Sequence, residues 1–239
     1  MIDGVKNTIA RFPAGYVFTT HDFSVSDEKP KAVNKVLNNL VKKGSLRRLS
    51  KGRFYKPQIG KFGELMPDTY QIVKDLIEKN GKLIGYTTGY SVFNELALTT
   101  QMPVELQIGT SKEKKKIVRG IYRISFVKQK NTITKENIPL LRLLDCLRFF
   151  KLIPDTTPDK ACRRLLYLFN QLNAEQIVTI KKLVLKYNPS TIAFLGAILQ
   201  TNHLEEDCVA LKKAINPITV YKLGISIEVL PTQHQWNIQ

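Results

Sequence analysis

The sequence predicts an α+β protein: an N-terminal winged helix-turn-helix followed by a mixed α+β domain with a helical C-terminal part. Three observations carry that expectation. Apolar residues recur at helical spacing near the N-terminus and again, more densely, after Pro139. Short β-branched and aromatic runs punctuated by glycine fill residues 45–56 and 83–127. Basic charge gathers at the start: residues 1–60 hold twelve basic and four acidic residues, net +8, against +5 for 61–137 and +4 for 138–239.

In chain order, Ile2, Val5, Ile9 and Phe12 mark a first helix, stopped by Pro13 and Gly15. Tyr16-Val17-Phe18 is a short strand, and Thr20 is placed to cap a brief second helix carrying Phe23. Ser26 or Asp27 caps the third helix, with Pro30 in its first turn. Val33, Val36, Leu37, Leu40 and Val41 form its apolar stripe, and Gly44 stands where a C′ glycine belongs. The opposite face shows Lys31, Asn34, Lys35, Asn38, Asn39 and Lys42. Lysines reach phosphate or guanine and asparagine bonds adenine bidentately, as a major-groove reader requires. Taken alone, that face is also the face of an ordinary solvated helix.

The next segment changes the reading. Residues 45–49 and 53–56 are two short strands joined by a turn at Ser50-Lys51-Gly52, and Pro57 closes the unit. A basic hairpin after such a helix is the wing arrangement, in which Arg47, Arg48, Lys51, Arg53 and Lys56 meet phosphate or the minor groove. The expected domains are therefore a DNA-binding domain over 1–60, a Gly/Pro linker over 61–67, and an α+β domain over 68–239. Within that last domain, 68–137 contains the sheet and 138–239 is mainly helical.

Tyr70 to Ile77 predicts a helix ending at Asn80-Gly81, and Leu83 to Tyr86 a strand. Thr88 is placed to cap a helix over 89–96, and strands are expected around 104–108, 116–118 and 121–127. Lys112, Lys114, Lys115 and Lys116 crowd a tight connection, either an auxiliary basic patch or a solvated turn. Helices are expected from Leu140 onward and over 158–170, 174–187, 190–201 and 205–215, with short strands near 218–221 and 225–230.

Catalytic and metal chemistry is not indicated. His21, His203 and His234 lie far apart, and Cys146, Cys162 and Cys208 lack metal or disulfide spacing. Phosphate-loop, zinc-protease and serine-elbow motifs are missing. Asp68 with Glu105 resembles a nuclease carboxylate pair only faintly, since its usual lysine is absent and an N-cap explains Asp68 better, and Asp145 with Arg148 reads as a surface ion pair. No cofactor is expected. Nor is a membrane span or signal segment, which makes a reducing cytoplasm the expected home. The formal charge of +17 favours a polyanionic partner.

Residues 18–23, 33–49 and 51–55, with Gly89-Tyr90-Ser91-Val92-Phe93-Asn94-Glu95-Leu96 continuing through Pro103, resemble the AbiEi-type antitoxins of type IV toxin–antitoxin and abortive-infection systems. The Lys112–Lys116 turn has its counterpart there, and the resemblance covers about residues 10–150. It implies a repressor that binds inverted-repeat operator DNA in its own operon and counters a nucleotidyltransferase-like toxin. A solitary transcriptional regulator has the same sequence signature, and a nucleic-acid-processing enzyme targeted by a winged helix is the alternative from another class. No dimerisation coiled coil is evident, so a monomer that pairs on DNA is expected.

Overall fold

Residues 2–23, 30–103, 105–204 and 208–239 are described by a computed structural model of mixed α+β class. The chain divides into two compact units: Met1–Leu76 with Ile117–Arg123, and Ile77–Lys116 with Ile124–Gln239.

The first stretch runs α1 (Ile2–Arg11), β1 (Val17–Phe18), a 3-10 turn (Thr20–Asp22), α2 (Pro30–Lys42), β2 (Arg47–Ser50), β3 (Arg53–Tyr55), β4 (Gln58–Gly60), β5 (Gly63–Leu65) and α3 (Thr69–Ile77). α1 forms because Val5 and Ile9 share a face; both are buried against Val33 and Leu37 of α2. Aromatic rings fill the space between helices and strands, with Phe18 5.0 Å from Phe12, 5.7 Å from Phe23 and 6.3 Å from Phe54. The 3-10 turn is capped one residue earlier than expected. Thr19 Oγ1 accepts from the His21 N–H, and Asp22 Oδ2 accepts from the Thr19 N–H, a reciprocal capping box. The expected caps Ser26 and Asp27 lie outside the described residues.

α2 ends as its sequence predicts. Gly44 takes φ +76°, and the Ser45 and Leu46 N–H groups both donate to the Leu40 carbonyl. The chain then builds a three-stranded sheet in the order β1-β3-β2, antiparallel throughout, pairing Phe18 with Phe54 and Phe54 with Arg48. A register shift lies between Arg48 and Ser50. The segment read as linker is not featureless: β4 and β5 make an antiparallel hairpin with Gly60 opposite Gly63. The first unit thus extends through α3 and takes back Ile117–Arg123, where the sequence suggested a boundary at residues 61–67.

The chain continues through β6 (Glu78–Lys79), β7 (Lys82–Leu83), β8 (Gly85–Thr88), α4 (Tyr90–Glu95), β9 (Glu105–Thr110), β10 (Ile117–Arg119) and β11 (Tyr122–Lys128). Asn80 and Gly81, with φ of 51° and 72°, make the tight turn of the β6–β7 hairpin rather than only stopping a helix. Gly89, not Thr88, stands at the N-cap of α4; Thr88 is the last residue of β8 and is buried. Within the second unit, β9 lies between β8 and the later part of β11. Then follow α5 (Asn137–Arg148), a 3-10 turn (Phe150–Leu152), α6 (Pro158–Asn170), α7 (Ala174–Val184), α8 (Pro189–Thr201), α9 (Val209–Lys213) and a last 3-10 turn (Gln233–Trp236).

α8 is the axis of the second core. Every residue from Thr191 to Leu199 is buried, and α5, α6, α7, α9 and the last 3-10 turn pack around it. Gly196 is required there: a Cβ would stand 2.2 Å from ring carbons of Trp236. The strands expected over 218–221 and 225–230 reduce to one parallel bridge, Tyr221 with Ile238, because the pairing partner comes from the chain's last residues.

Candidate nucleic-acid interface

The first unit carries sixteen basic and seven acidic residues, net +9. Helical geometry sorts α2 into two faces. Burial of Val33 and Leu37 turns Lys31, Lys35, Asn39 and Lys42 outward, all exposed, with Asn34 and Asn38 half-buried at the margins. Among the described residues, none of the three lysines has an acidic partner. The adjoining Lys43 is exposed too, a cation the sequence pattern passes over.

The hairpin after α2 divides its cations. Lys51 is exposed in the turn, where Gly52 takes φ +72°. Arg48 is exposed, lies 5.7 Å over the Phe54 ring and donates to Asn38 Oδ1, which ties β2 to α2 and occupies the Asn38 carbonyl. Arg47, Arg53 and Lys56 have intramolecular partners in place of the phosphate expected from sequence. Arg47 pairs with Glu64 on β5 at 2.8 Å and donates to the Gly44 carbonyl at 2.9 Å. Arg53 meets Asp75 on α3 at 2.5 Å. Lys56 Nζ donates to the Phe12 carbonyl at 3.4 Å, close to the end of α1, where orphan carbonyls attract a cation.

Asp75 is a junction the sequence did not announce. Arg119, 3% exposed, reaches the same carboxylate at 2.5 Å and also donates to the Ile72 carbonyl. Burial alone would raise the Asp75 pKa, but the hydrogen bonds and charges of Arg119 and Arg53 hold it below the ordinary carboxylate value. The Gly120 N–H donates to the Leu49 carbonyl at 3.0 Å, so residues 117–123 support β2 from behind. Separations of 22 and 44 residues hide these contacts from sequence inspection.

Lys112, Lys114, Lys115 and Lys116 belong to the second unit and are all exposed, with Lys114 5.4 Å over the Phe126 ring. Asp68, read from the sequence as an N-cap, accepts from the Tyr70 N–H at the start of α3, and Glu105 accepts from Ser125 Oγ at 2.7 Å. The expected Asp145–Arg148 surface pair is overturned. Asp145 is fully buried and accepts from Tyr86 and Thr88 at 2.7 Å and from Tyr187 at 3.1 Å. Burial raises its pKa against the opposing effect of those hydrogen bonds. Cys146, Cys162 and Cys208 form no disulfide, and burial pushes the Cys162 thiol up to about 12. Among the described residues, no group of three or more His, Cys, Asp or Glu side chains is arranged for a metal ion, and no helix is long and apolar enough to cross a membrane.

Fold and site together define an α+β chain in two units, the first of which displays a cationic helix-and-hairpin face. The chain belongs to DUF6088, a family of unknown function, which it matches over residues 4–177. It is similar in structure to the RV2827C protein from Mycobacterium tuberculosis, with a TM-score of 0.49 and 12% identity over 93% of this chain and 84% of that one. No curated protein matches it.

Proposed function

We propose that this protein is a non-enzymatic, sequence-specific DNA-binding repressor of the cytoplasm whose first unit acts as a winged helix-turn-helix. One observation carries the reading: Lys31, Lys35 and Lys42, without an acidic partner among the described residues, share the outer face of a helix whose other face is buried, and the adjoining hairpin adds exposed Arg48 and Lys51. α2 enters the major groove with Asn34 and Asn39 toward base edges, while Asn38 holds Arg48 in place. Arg48 and Lys51 engage the backbone or the minor groove. Arg47, Arg53 and Lys56 hold the reading elements in place. Two monomers load on an inverted-repeat operator.

The resemblance of residues 18–55 and 89–103 to AbiEi-type antitoxins extends the proposal. The operator lies in the protein's own operon, and the second unit counters a nucleotidyltransferase-like toxin. The test is selection of bound duplexes from a random library by the full chain, followed by a promoter reporter and growth assay with the adjacent gene co-expressed. An enriched inverted repeat, present upstream of the gene and silenced by the protein, is the expected result. Failure to enrich any sequence would sink the repressor reading. Rescue of growth by a variant unable to bind DNA would place antitoxicity in the second unit.

A further inference from the structure

Within the second unit, four cations converge on one cavity of about 340 Å³. Lys128 ends β11 and Lys130 follows just after it, Arg148 comes from the last turn of α5, and Lys186 from the link between α7 and α8. Like charges gathered in a concavity repel one another, and an anion relieves the repulsion. One carboxylate pairs directly with them among the described residues: Glu113 meets Lys128 at 3.0 Å, with both side chains largely exposed, while buried Asp145 acts on Arg148 through charge alone. Arg148 donates to the Lys128 carbonyl at 3.3 Å, which holds its guanidinium at the rim. Lys130 and Lys186 have no partner among the described residues.

The wall of the cavity is built rather than incidental. Gln129, 4% exposed, donates from Nε2 to the hydroxyls of Tyr86 and Tyr187, each at 2.8 Å, and accepts from the Asn131 N–H. Tyr187 in turn donates to buried Asp145. This network fixes the polar floor on which a ligand would rest, with the exposed cations around it. α8 starts on the same rim at Pro189, adding the partial positive charge of a helix N-terminus.

We propose that this cavity binds a small ligand carrying several phosphate groups, of nucleotide size. The volume falls in the range of small-molecule sites. A recessed, rigid wall suits a compact anion better than the convex backbone of a duplex. Lysines from separate segments suit a ligand with more than one phosphate. The assignment is independent of DNA binding by the first unit.

Isothermal titration of the full chain at about 50 mM salt, where exposed charges are weakly screened, tests it with inorganic tripolyphosphate and with ATP. One saturable site per chain is expected. Lys130→Gln and Lys186→Gln should each weaken binding about fivefold or more, and the double variant should abolish it. Lys160→Gln with Lys213→Gln, on distant exposed positions, serves as the charge control and leaves affinity unchanged. Tighter binding of ATP identifies a nucleotide, and equal binding an inorganic polyphosphate; both support the site. Absence of saturable binding, or undiminished affinity in a double variant that melts like wild type, overturns it. So does a double variant that loses duplex affinity while neither small anion binds, because the cations then belong to a nucleic-acid surface.

Discussion

Replacing Lys31, Lys35 and Lys42 with glutamine removes three cations from the outer face of α2 without disturbing Val33 or Leu37 beneath it. If these lysines with Arg48 and Lys51 neutralise five phosphates, log affinity falls with log salt at a slope of about −4.5. The triple variant retains two such contacts and a slope of about −1.8. At 0.1 M salt the lost counterion release amounts to about 2.7 decades, or ~3.7 kcal/mol. Fluorescence anisotropy on a labelled duplex between about 50 and 300 mM salt measures both slopes. The discriminating partner is Arg47→Gln with Arg53→Gln. Those guanidinium groups are held by Glu64 and Asp75, so this double variant keeps the wild-type slope. A triple variant with an unchanged slope, or an Arg47/Arg53 variant that lowers it as much, refutes the assignment of α2 and its lysines to DNA.

Acid and base act oppositely on the partly exposed Asp75 and the buried Asp145. Asp75 is depressed, so its stabilisation is present above the unfolded value near 3.8 and is lost as pH falls through its folded pKa; Asp75→Asn should erase that acid-side dependence in denaturant titrations. It should also cost about 1–2 kcal/mol at neutral pH, a figure reduced for the 39% exposure of Asp75 but sustained by the buried Arg119 left behind. Asp145 is raised, so its contribution is present below the unfolded value and is lost as pH climbs through the folded pKa; Asp145→Asn should flatten that part of the second unit's melting profile. Gly196→Ala should cost about 1–3 kcal/mol by forcing Trp236 aside, and Trp236 is the only tryptophan, so a native near-ultraviolet signal in a fully stable variant would count against the packing described. A fragment of residues 1–60 lacks Asp75, Arg119 and the Gly120 donor to Leu49, and should show no cooperative thermal transition by circular dichroism; a sharp melt would mean that α3 and residues 117–123 are dispensable.

Much of the architecture was written locally. Thr157 ahead of Pro158 starts α6 where its cap chemistry places it, and the expected span 158–170 is the observed one. The stripe of α2 and the glycine after it likewise need only neighbours within a turn or two. Asn80-Gly81 shows where such reasoning runs short. Both residues tolerate positive φ, which stops a helix or turns a hairpin, and only the pairing of Glu78 with Leu83 selects the second use.

By itself, then, the sequence determined the helices of the C-terminal half, the two faces of α2 and the cationic character of the N-terminal segment, because periodicity and capping are set by short-range sterics and hydrogen bonds. Tertiary structure alone decided which cations stay unpaired. Arg53 and Lys51 are both basic residues of one hairpin, yet Asp75, 22 residues beyond Arg53, takes that arginine and leaves the lysine exposed. It also decided that Asp145 is buried under the hydroxyls of Tyr86 and Thr88 rather than paired with Arg148 one turn away, and that Lys128, Lys130, Arg148 and Lys186 share a cavity. A side chain's charge is fixed by its chemistry, but its partner is fixed by the fold that brings distant segments together.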